Sequence, residues 1–400
     1  MKLPDSWHKS PLGELFKKIV VGYVGNVNDH YCDASRGVPF YRTLNIRDGY
    51  FRHDEIRHVT KEFNDKNKKS QIENDDIVIA RVGANLGMVC KVSGLNGMAN
   101  MANAIIIKNK SAKNASSDFY TYFLLSPYGK SQIYAGAAGG AQGVFNTKLT
   151  QEISVPVPPL PEQKKIAKIL STWDKAITTT EQLLANSQQQ KKALMQQLLT
   201  GKKRLLDIKT GVIFERDFKT LSLRDVCSMQ AGKFINASDI LNGHQDGTYP
   251  CFGGNGLRGY TKTFTHDGEF SLIGRQGALC GNITFATGCF HATEHAVVVT
   301  PRSNINTKWL YYALVDLNLN QYATGVAQPG LSVKNIEQVS IKVPESINEQ
   351  QKIAAVLSAA DQEITTLKQK LDALKQEKKA LMQQLLTGKR RVQQLKDVES

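Results

Sequence analysis

The segment KKALMQQLLTGKKR occupies residues 191–204, and the nearly identical segment KKALMQQLLTGKRR occupies residues 378–391. Thirteen of the fourteen positions agree at an offset of 187 residues. The agreement extends back to EQKKIAKILS at 162 and EQQKIAAVLS at 349, and 27 of 43 positions are identical between 162–204 and 349–391. Because solenoid repeats recur about every 20–50 residues, this longer offset indicates the duplication of a whole half of the chain, a domain together with its helix.

Both copies have the pattern of a long coiled-coil helix. Neither has an interior proline or glycine, and each ends at a Thr-Gly pair whose glycine suits a helix C-terminus. Residues at alternating spacings of four and three form a heptad seam. The seam consists of Ile166, Leu170, Trp173, Ile177, Leu184, Leu194 and Leu198 in the first copy, and of Ile353, Leu357, Ile364, Leu367, Leu371, Leu374, Leu381 and Leu385 in the second.

Polar residues interrupt this seam. Thr180, Ser187 and Lys191 weaken the seam of the first helix, and Lys378 is the counterpart of Lys191 in the second. Since the second seam is nearly all leucine and isoleucine, we expect the two helices to pair antiparallel within one chain. Two alternatives stay open: each helix packs on its own domain, or it pairs with a helix of another chain.

The segments outside the helices have the pattern of irregular β-rich structure. Short apolar runs such as DDIVIARVG at 75 and HAVVVTP at 295 are separated by glycine and asparagine, and each half adds a short amphipathic helix near 116 or 306. The predicted fold class is α+β: two β-rich α/β domains separated by two long helices that form an antiparallel intramolecular coiled coil, with a pseudo-two-fold internal repeat. The predicted boundaries are 1–157 and 205–344 for the two domains, 158–204 and 345–391 for the central and C-terminal helices, and 392–400 for a tail.

The charge of the chain favours a polyanionic partner. There are 51 Lys and Arg residues against 36 Asp and Glu residues, a formal net charge of +15. Such an excess is typical of proteins that bind nucleic acid or an anionic membrane face.

Membrane and secretory functions are not indicated. The N-terminal segment MKLPDSWHKS lacks an apolar signal region, and no run of eighteen apolar residues occurs. The six cysteines contain no Cys-x-x-Cys pair and are too few for a disulfide framework. We therefore expect a reducing, cytoplasmic location and no membrane partner.

The sequence lacks the motifs of the enzymes that act on DNA with cofactors. No Asn/Asp-Pro-Pro-aromatic motif of an adenine methyltransferase occurs, and no GxxxxGK[ST] phosphate loop occurs. The glycine-rich string GGNG at 253 does not open a helix after a strand, so a dinucleotide site is not indicated. The expectation is a chain without catalytic residues and without a cofactor of its own.

One string resembles a metal site. HATEH at 291–295 matches the HxxEH pattern of inverted zinc proteases, which requires both histidines on one helix face. The flanking residues are strand-like, and residues four apart in a strand lie roughly 13 Å apart, too far to share one zinc. A structural zinc held by Cys280, Cys289, His291 and His295 would have unorthodox spacing, so no metal is expected.

The repeat also has a family resemblance. PLPEQKKIAKILSTWDKAI, its copy INEQQKIAAVLSAADQEI and the LLTGKKR and LLTGKRR ends resemble the specificity subunit of type I restriction–modification systems. LPDSWHKSPLGEL at 3 and LSLRDVCSMQAGK at 221 are similar to the openings of the two target-recognition domains of that family, and YPCFGGNGLRGYTKTF at 249 with SLIGRQGALCGNITF at 271 is similar to one common type of these domains. The resemblance covers essentially the whole chain.

The resemblance implies a non-catalytic, DNA-reading subunit. Each recognition domain would read one half of a bipartite site in double-stranded DNA, and the paired helices would set the spacing and dock two methyltransferase subunits. Two restriction–translocase subunits would complete the complex. S-adenosylmethionine, ATP and Mg would be bound by those partner subunits, and none by this chain.

Loop residues of the types that contact DNA are the candidate binding residues. Lys and Arg neutralise phosphates, whereas Arg, Asn, Gln and Lys also read base edges. The candidates are Arg36, Arg42, Arg81, Asn85, Asn100 and Asn103 in the first half, and Lys233, Asn255, Arg258, Tyr260, Lys262, Arg275, Gln276 and His291 in the second.

Two other classes of function remain as alternatives. The chain could be a nuclease or methyltransferase whose motif is not recognisable, in which case it would methylate or cut DNA alone. It could also be a coiled-coil scaffold that binds only proteins, in which case it would not bind DNA even at low salt.

Overall fold

The computed structural model describes residues 3–138, 144–207, 211–214, 217–277, 279–325 and 330–392. The chain forms two compact units: Met1–Thr180 with Lys370–Ser400, called unit 1, and Glu181–Gln369, called unit 2. All but the first residue of the predicted tail 392–400 lies outside the described residues. Within the described part of the chain, no helix has the length and hydrophobicity needed to cross a bilayer.

Unit 1 begins with the first globule, which comprises residues 1–157. Its elements are β1 (His8–Pro11), α1 (Leu12–Leu15), β2 (Ile19–Val21), β3 (Val38–Tyr41), β4 (Ile46–Arg47), β5 (Tyr50–Phe51), β6 (Arg57–Val59), α2 (Lys61–Lys66), β7 (Gln71–Ile72), β8 (Ile77–Ala80), β9 (Val89–Lys91), β10 (Ala99–Met101), β11 (Ala104–Ile107), α3 (Ser117–Leu125), α4 (Pro127–Ala138), α5 (Thr147–Gln151) and β12 (Ser154–Val157). The long helix α6 (Leu160–Leu198) follows.

Unit 2 contains the second globule, which comprises residues 205–344. Its elements are β13 (Lys219–Ser222), α7 (Leu223–Val226), β14 (Cys227–Ala231), β15 (Tyr249–Gly253), β16 (Gly256–Thr261), β17 (His266–Asp267), β18 (Phe270–Gly274), β19 (Ile283–Ala286), β20 (Cys289–Ala292), β21 (Ala296–Pro301), α8 (Thr307–Asp316), α9 (Val333–Ile336) and β22 (Ser340–Val343). The second long helix, α10 (Ile347–Leu385), follows.

The two globules share one strand topology. The sheet β2-β11-β8-β9 of the first corresponds to β14-β21-β18-β19 of the second, and all neighbours in both are antiparallel. The sheet β6-β3-β10-β7 corresponds to β16-β15-β20-β17, and each has a single parallel pair at its centre. The antiparallel ribbon β1-β12 corresponds to β13-β22. The predicted α+β class and internal repeat are confirmed, although the globules share little sequence.

Runs of β-branched residues determine the centre of each globule. In the first, β8 (IVIA) and β11 (AIII) are buried at every position, as expected for central strands covered on both faces. In the second, β18 is buried at four of its five positions and β21 at the first four of its six. An amphipathic helix covers each sheet: α3 has Ser116 as its N-cap, and α8 has Asn306.

The long helices run antiparallel within each unit. In unit 1, Glu162 and Asp174 of the first half of α6 pair with Arg391 and Lys378. In unit 2, Arg204, which follows α6, pairs with Glu349 near the start of α10. No predicted seam residue is exposed, and the polar positions Thr180 and Ser187 are buried as well. The antiparallel intramolecular coiled coil is therefore confirmed.

Each long helix also packs on its own globule, as the alternative prediction stated, but only at its N-terminal end. Ile166 and Leu170 at the start of α6 join the core of the first globule, and Leu385 at the end of α10 joins the same core. Ile353 at the start of α10 and Leu198 at the end of α6 join the core of the second. Each globule is thus held by the start of its own helix and by the end of the other.

The repeated Glu-Gln pair explains why the helix starts are fixed. The carboxylate of Glu162 accepts two hydrogen bonds of 2.8 Å from the guanidinium of Arg391, and Glu349 accepts 2.7 and 2.8 Å bonds from Arg204. Such bidentate pairs are geometrically specific. The neighbouring glutamines accept from the backbone N–H of the N-cap residue of the covering helix, Gln163 from Ser116 and Gln350 from Asn306.

The Thr-Gly turns complete these contacts. Gly201 and Gly388 have φ angles of +75° and +71°, as expected for the left-handed residue that ends a helix. A β-carbon on Gly388 would lie 2.5 Å from Pro4 and 3.3 Å from Trp7, so only glycine fits there. Arg391 in turn lies 5.7 Å from the centre of the Trp7 ring.

Candidate nucleic-acid interface

Equivalent loops follow the central strands β8 and β18. The first reads RVGANLG at 81–87 and the second reads RQGALCG at 275–281. Gly83 and Gly277 have φ angles of +74° and +86°, and Gly87 and Gly281 have φ angles of +81° and +88°. The left-handed conformation is readily adopted only by glycine. The glycines therefore have the same left-handed conformation at the third and seventh positions of both loops, although the residues between them differ.

The arginine that opens each loop is held by its backbone. The carbonyl of Arg81 accepts from the N–H of Phe145, and that of Arg275 accepts from the N–H of Leu331. The Nε atom of each is buried and has no hydrogen-bond partner among the described residues, while each side chain remains partly exposed. Because a buried guanidinium nitrogen without an acceptor is costly, both arginines are suited to receive an anionic or carbonyl oxygen.

The structure brings three candidates of the second globule together in one cleft. Asn255, in the tight turn between β15 and β16, lies beside Arg258 on β16 and Gln276 on the loop after β18. The cleft has a volume of about 500 Å³, and its other lining residues are Gly253, Gly254, Gly256, Leu257, Gly277 and His295. Amide and guanidinium groups around a recess of this kind offer both donors and acceptors to a base edge.

A second recess of the second globule contains Lys262 and His291. It has a volume of about 460 Å³ and is bounded by the loop after β14, including Phe234 and Asn236. Lys233 of that loop is exposed, and Tyr260 is partly buried against His244, with 5.3 Å between the ring centres. Lys262, which lines this recess, and Lys233, which precedes Phe234, are both exposed and available to phosphates.

The candidates of the first globule are less concentrated. Asn85 donates to the carbonyl of Thr43 at 3.2 Å, which places the loop after Arg81 beside the segment that Arg42 begins. The guanidinium of Arg42 donates to the carbonyl of Glu55 at 2.9 Å, so one of its nitrogens already has a partner. Arg36 is exposed in a turn before β3, and Asn103 lies in the turn between β10 and β11 with a φ of +51°.

Two of the candidates are buried. Asn100 is fully buried, and its amide donates to Asn64 Oδ1 and to the Asn67 carbonyl. His291 is 5% exposed, with its Nε2 3.2 Å from the carbonyl of Lys233. They hold equivalent places, since each is paired with the parallel central strand, Asn100 with Phe40 and His291 with Cys251. The polar groups at this position bond to the protein, and residue type alone does not indicate that burial.

The HxxEH string is not helical. His291 belongs to β20, and Glu294 and His295 form the turn before β21. The Nε2 of His295 lies 3.1 Å from Oε1 of Glu294. Among the residues that the structure describes, no group of three or more His, Cys, Asp or Glu side chains could hold a metal ion.

Sequence reasoning missed several residues at these recesses. His295 was considered only as a metal ligand, yet it lines the cleft of Asn255 and Gln276. Phe234 is 71% exposed beside Lys233, and Leu257 is 53% exposed at the rim of the cleft. Large apolar residues adjoining lysine and arginine in glycine-rich loops were the available signal.

Comparison with known proteins agrees with this architecture. The family model described as "Type I restriction modification DNA specificity domain" matches residues 4–186 and 215–376. The Escherichia coli type I restriction enzyme EcoprrI specificity subunit is 49% identical over 148 residues, which is 37% of this chain and only 37% of that subunit. The Methanocaldococcus jannaschii type I restriction enzyme MjaVIII specificity subunit is 23% identical over 99% of this chain and 95% of its own length.

Solved structures show the same fold. The S subunit of a type I restriction–modification system from M. genitalium superposes with a TM-score of 0.64 at 15% identity, covering 96% of this chain and 98% of that one. The HsdS subunit from Thermoanaerobacter tengcongensis has a TM-score of 0.50 at 18% identity, covering 97% and 98%. Since the family model matches both halves, the chain belongs to the family of type I restriction–modification specificity subunits.

Proposed function

We propose that each globule reads one half of a bipartite site in double-stranded DNA and that the two long helices set the spacing between the half-sites. The observation that carries this proposal is the repeated topology with unlike loops. The strands, the glycine turns and the opening arginine agree between the globules, whereas the residues that line the loops differ. Two domains that recognise different base sequences require a constant framework and variable loops.

The two kinds of candidate residue have different roles in this proposal. Arg81 and Arg275, with the exposed Lys233 and Lys262, contact phosphates or base acceptors and give a salt-dependent affinity. Asn255, Arg258 and Gln276 read base edges, since amide and guanidinium groups form paired hydrogen bonds with purines. Arg36, Arg42, Asn85, Asn103 and Tyr260 are proposed as supporting contacts.

The remaining functions belong to partner subunits. We propose that the paired helices dock two methyltransferase subunits, and that two restriction–translocase subunits join them. S-adenosylmethionine, ATP and Mg would be bound by those subunits, and this chain would bind no cofactor and supply no catalytic group. Family membership and the lack of methyltransferase and phosphate-loop motifs in the sequence support this division.

An exchange of globules tests the proposal. Residues 1–157 are replaced by the corresponding domain of another family member, and methylated adenines are mapped across the genome of a strain that carries the chain with its partners. One half-site should change while the other half-site and the spacing persist. The reciprocal exchange of 205–344 is the matched control and should change the other half-site. If either exchange alters both half-sites, or if the wild-type complex fails to bind DNA at low salt, the proposal is wrong.

A further inference from the structure

A lysine lies in the apolar seam of each long helix, and in unit 1 it is fully partnered. Lys378 Nζ forms an ion pair with Asp174 Oδ1 of α6, and Tyr122 of α3 donates to Asp174 Oδ2 at 2.6 Å. The ammonium also lies 5.5 Å from the centre of the Tyr122 ring. Three elements therefore meet at one carboxylate: the globule's covering helix and both long helices.

Unit 2 contains the same arrangement with the helices exchanged. Lys191 Nζ lies 2.5 Å from Asp361 Oδ1 of α10, and Tyr312 of α8 donates to Asp361 Oδ2 at 2.8 Å. Lys191 lies 5.5 Å from the centre of the Tyr312 ring. We call these two groups, Asp174–Lys378–Tyr122 and Asp361–Lys191–Tyr312, the register clusters.

The lysines of the clusters lie in the nearly identical repeated segment, but the tyrosines and aspartates are kept where the surrounding sequence diverges. The covering helices read SDFYTYFLL and TKWLYYALVD, and in that alignment only Tyr122 with Tyr312 and Leu124 with Leu314 are identical. Asp174 and Asp361 are retained between neighbours that differ, WDK against ADQ. The groups that meet in the cluster have thus been kept in both halves.

The clusters tolerate only one register of the helix pair. A slide by one turn would place Lys378 opposite Leu170 or Ile177, and Lys191 opposite Leu357 or Ile364. A half-buried ammonium beside such residues would lose its partner, and the carboxylate would lose its partner too, which is costly. The side chains of Lys378 and Lys191 are only 18% and 20% exposed, whereas those of Asp174 and Asp361 are 43% and 38% exposed, so the cost of a lost ion pair falls mainly on the lysines. A polar group in an apolar seam is a known means of fixing helix register.

The tyrosines extend this constraint to the globules. Burial, with Asp174 and Asp361 close by, raises the pKa of Tyr122 and Tyr312, so each hydroxyl keeps its proton and stays a donor. The carboxylate that fixes the register therefore also fixes the covering helix of the globule. The clusters couple the placement of each globule to the register of the helices.

We infer that the two register clusters are positioning residues that determine the spacing between half-sites, an inference that rests on the proposed function. One helical turn is about 5.4 Å, and DNA rises about 3.4 Å per base pair. A slide by one turn therefore corresponds to about 1.6 base pairs. Substitutions in the register clusters should change the spacer length that the complex prefers and should leave the recognised bases unchanged.

Charge reversal with rescue tests the inference. The full chain in complex with its methyltransferase subunits is offered duplexes that carry the half-sites mapped for the wild type, separated by the native spacer or by one or two base pairs more or fewer. In K191D/K378D each aspartate faces another aspartate. Its methylation of the native spacer relative to the others should fall by about tenfold or more, since the penalty for like charges exceeds about 1.4 kcal/mol. Adding D174K and D361K restores opposite charges and should return the native preference.

A control variant and the possible outcomes distinguish a failure of the register-cluster inference from a failure of the proposed DNA-reading function. K192D/K379D reverses the adjacent exposed lysines, which lie outside the seam, and should leave the spacer preference unchanged. If K191D/K378D folds and keeps the wild-type spacer preference, the inference is overturned. If K191D/K378D does not fold, the variant that also carries D174K and D361K decides, and the inference is overturned when that variant lacks the native preference. A wild-type complex with no spacer preference would instead refute the proposed function.

Discussion

The two globules differ where the chain leaves the central strand of the mixed sheet. In the first, residues 42–56 lie between β3 and β6 and include the hairpin β4-β5, whereas in the second only Gly254 and Asn255 separate β15 from β16. The hairpin lies on the edge of the neighbouring sheet: Gly49 donates to the carbonyl of Val89, and Asp48 accepts from the N–H of Val89 at 2.9 Å. Lys130 of α4 joins Asp48 to the carbonyl of Gly87.

This difference shows how one topology can present unlike surfaces. The hairpin anchors the end of the RVGANLG loop of the first globule, whereas the corresponding side of the second is the open cleft of Asn255, Arg258 and Gln276. The strands and glycine turns that support both surfaces are the same. The difference between the two surfaces comes from insertions and loop residues, which change at little cost to the core.

The largest effect is expected from removing the arginine that opens each loop. This change tests whether that arginine contributes equally to DNA binding in the two globules. Arg81→Ala should weaken binding to the first half-site by roughly tenfold to a hundredfold, and Arg275→Ala should do the same at the second, because each removes a charge-assisted donor. Fluorescence anisotropy with duplexes in which one half-site is scrambled measures the affinity for each half-site separately. Lysine variants at both positions are the matched controls and should retain only part of the affinity, since lysine lacks the planar fork. Loss at both half-sites from one substitution would contradict the equivalence.

A smaller effect should distinguish the residue that follows each arginine. Gln276 is exposed on the cleft, and its counterpart in the first loop is the apolar Val82. Gln276→Ala should relax discrimination at one base pair of the second half-site by about 1 kcal/mol, the lower end of the usual value of an amide–base contact. Val82→Ala should leave the first half-site unchanged. Binding to libraries randomised at single positions measures both, and uniform weakening by Gln276→Ala would show that this residue contacts only backbone.

Much of the fold could be predicted from local pattern. The heptads containing Ile166 and Ile353 require long helices, and the repeat of 187 residues requires two similar halves. The topological identity of the globules could not be predicted, because strands such as Gln71–Ile72 and His266–Asp267 are two residues long and carry no periodicity. Their pairing depends on contacts between distant segments.

The candidate site was predictable in part. Residue type made Arg81, Arg275, Asn255, Arg258 and Gln276 candidates. The structure places the two arginines on comparable loops and the other three residues in one cleft. Burial separates the other candidates: Asn100 in the middle of β10 is fully buried, whereas Arg81, which follows β8, retains exposed surface. The roles of Lys191 and Lys378 were also hidden, because their aspartate partners lie 170 and 204 residues away.

The smallest effect is expected at the edge strands β17 and β7, where a difference in one side chain should change how stability depends on pH. His266 stacks on Phe290, with 5.4 Å between the ring centres, whereas Ile72 occupies the corresponding place in the first globule. Burial, followed by the charges of Lys233 and His291, lowers the pKa of His266 below its ordinary value of 6.5. A lowered pKa means that the unfolded chain binds the proton more readily, so this contribution to stability is complete above pH 6.5 and is lost as the pH falls through the folded value. Thermal unfolding from pH 8 to pH 5 should show a slightly steeper acid loss for the wild type than for His266→Gln, and equal slopes would show that the imidazole is as readily protonated in the folded globule as in the unfolded chain.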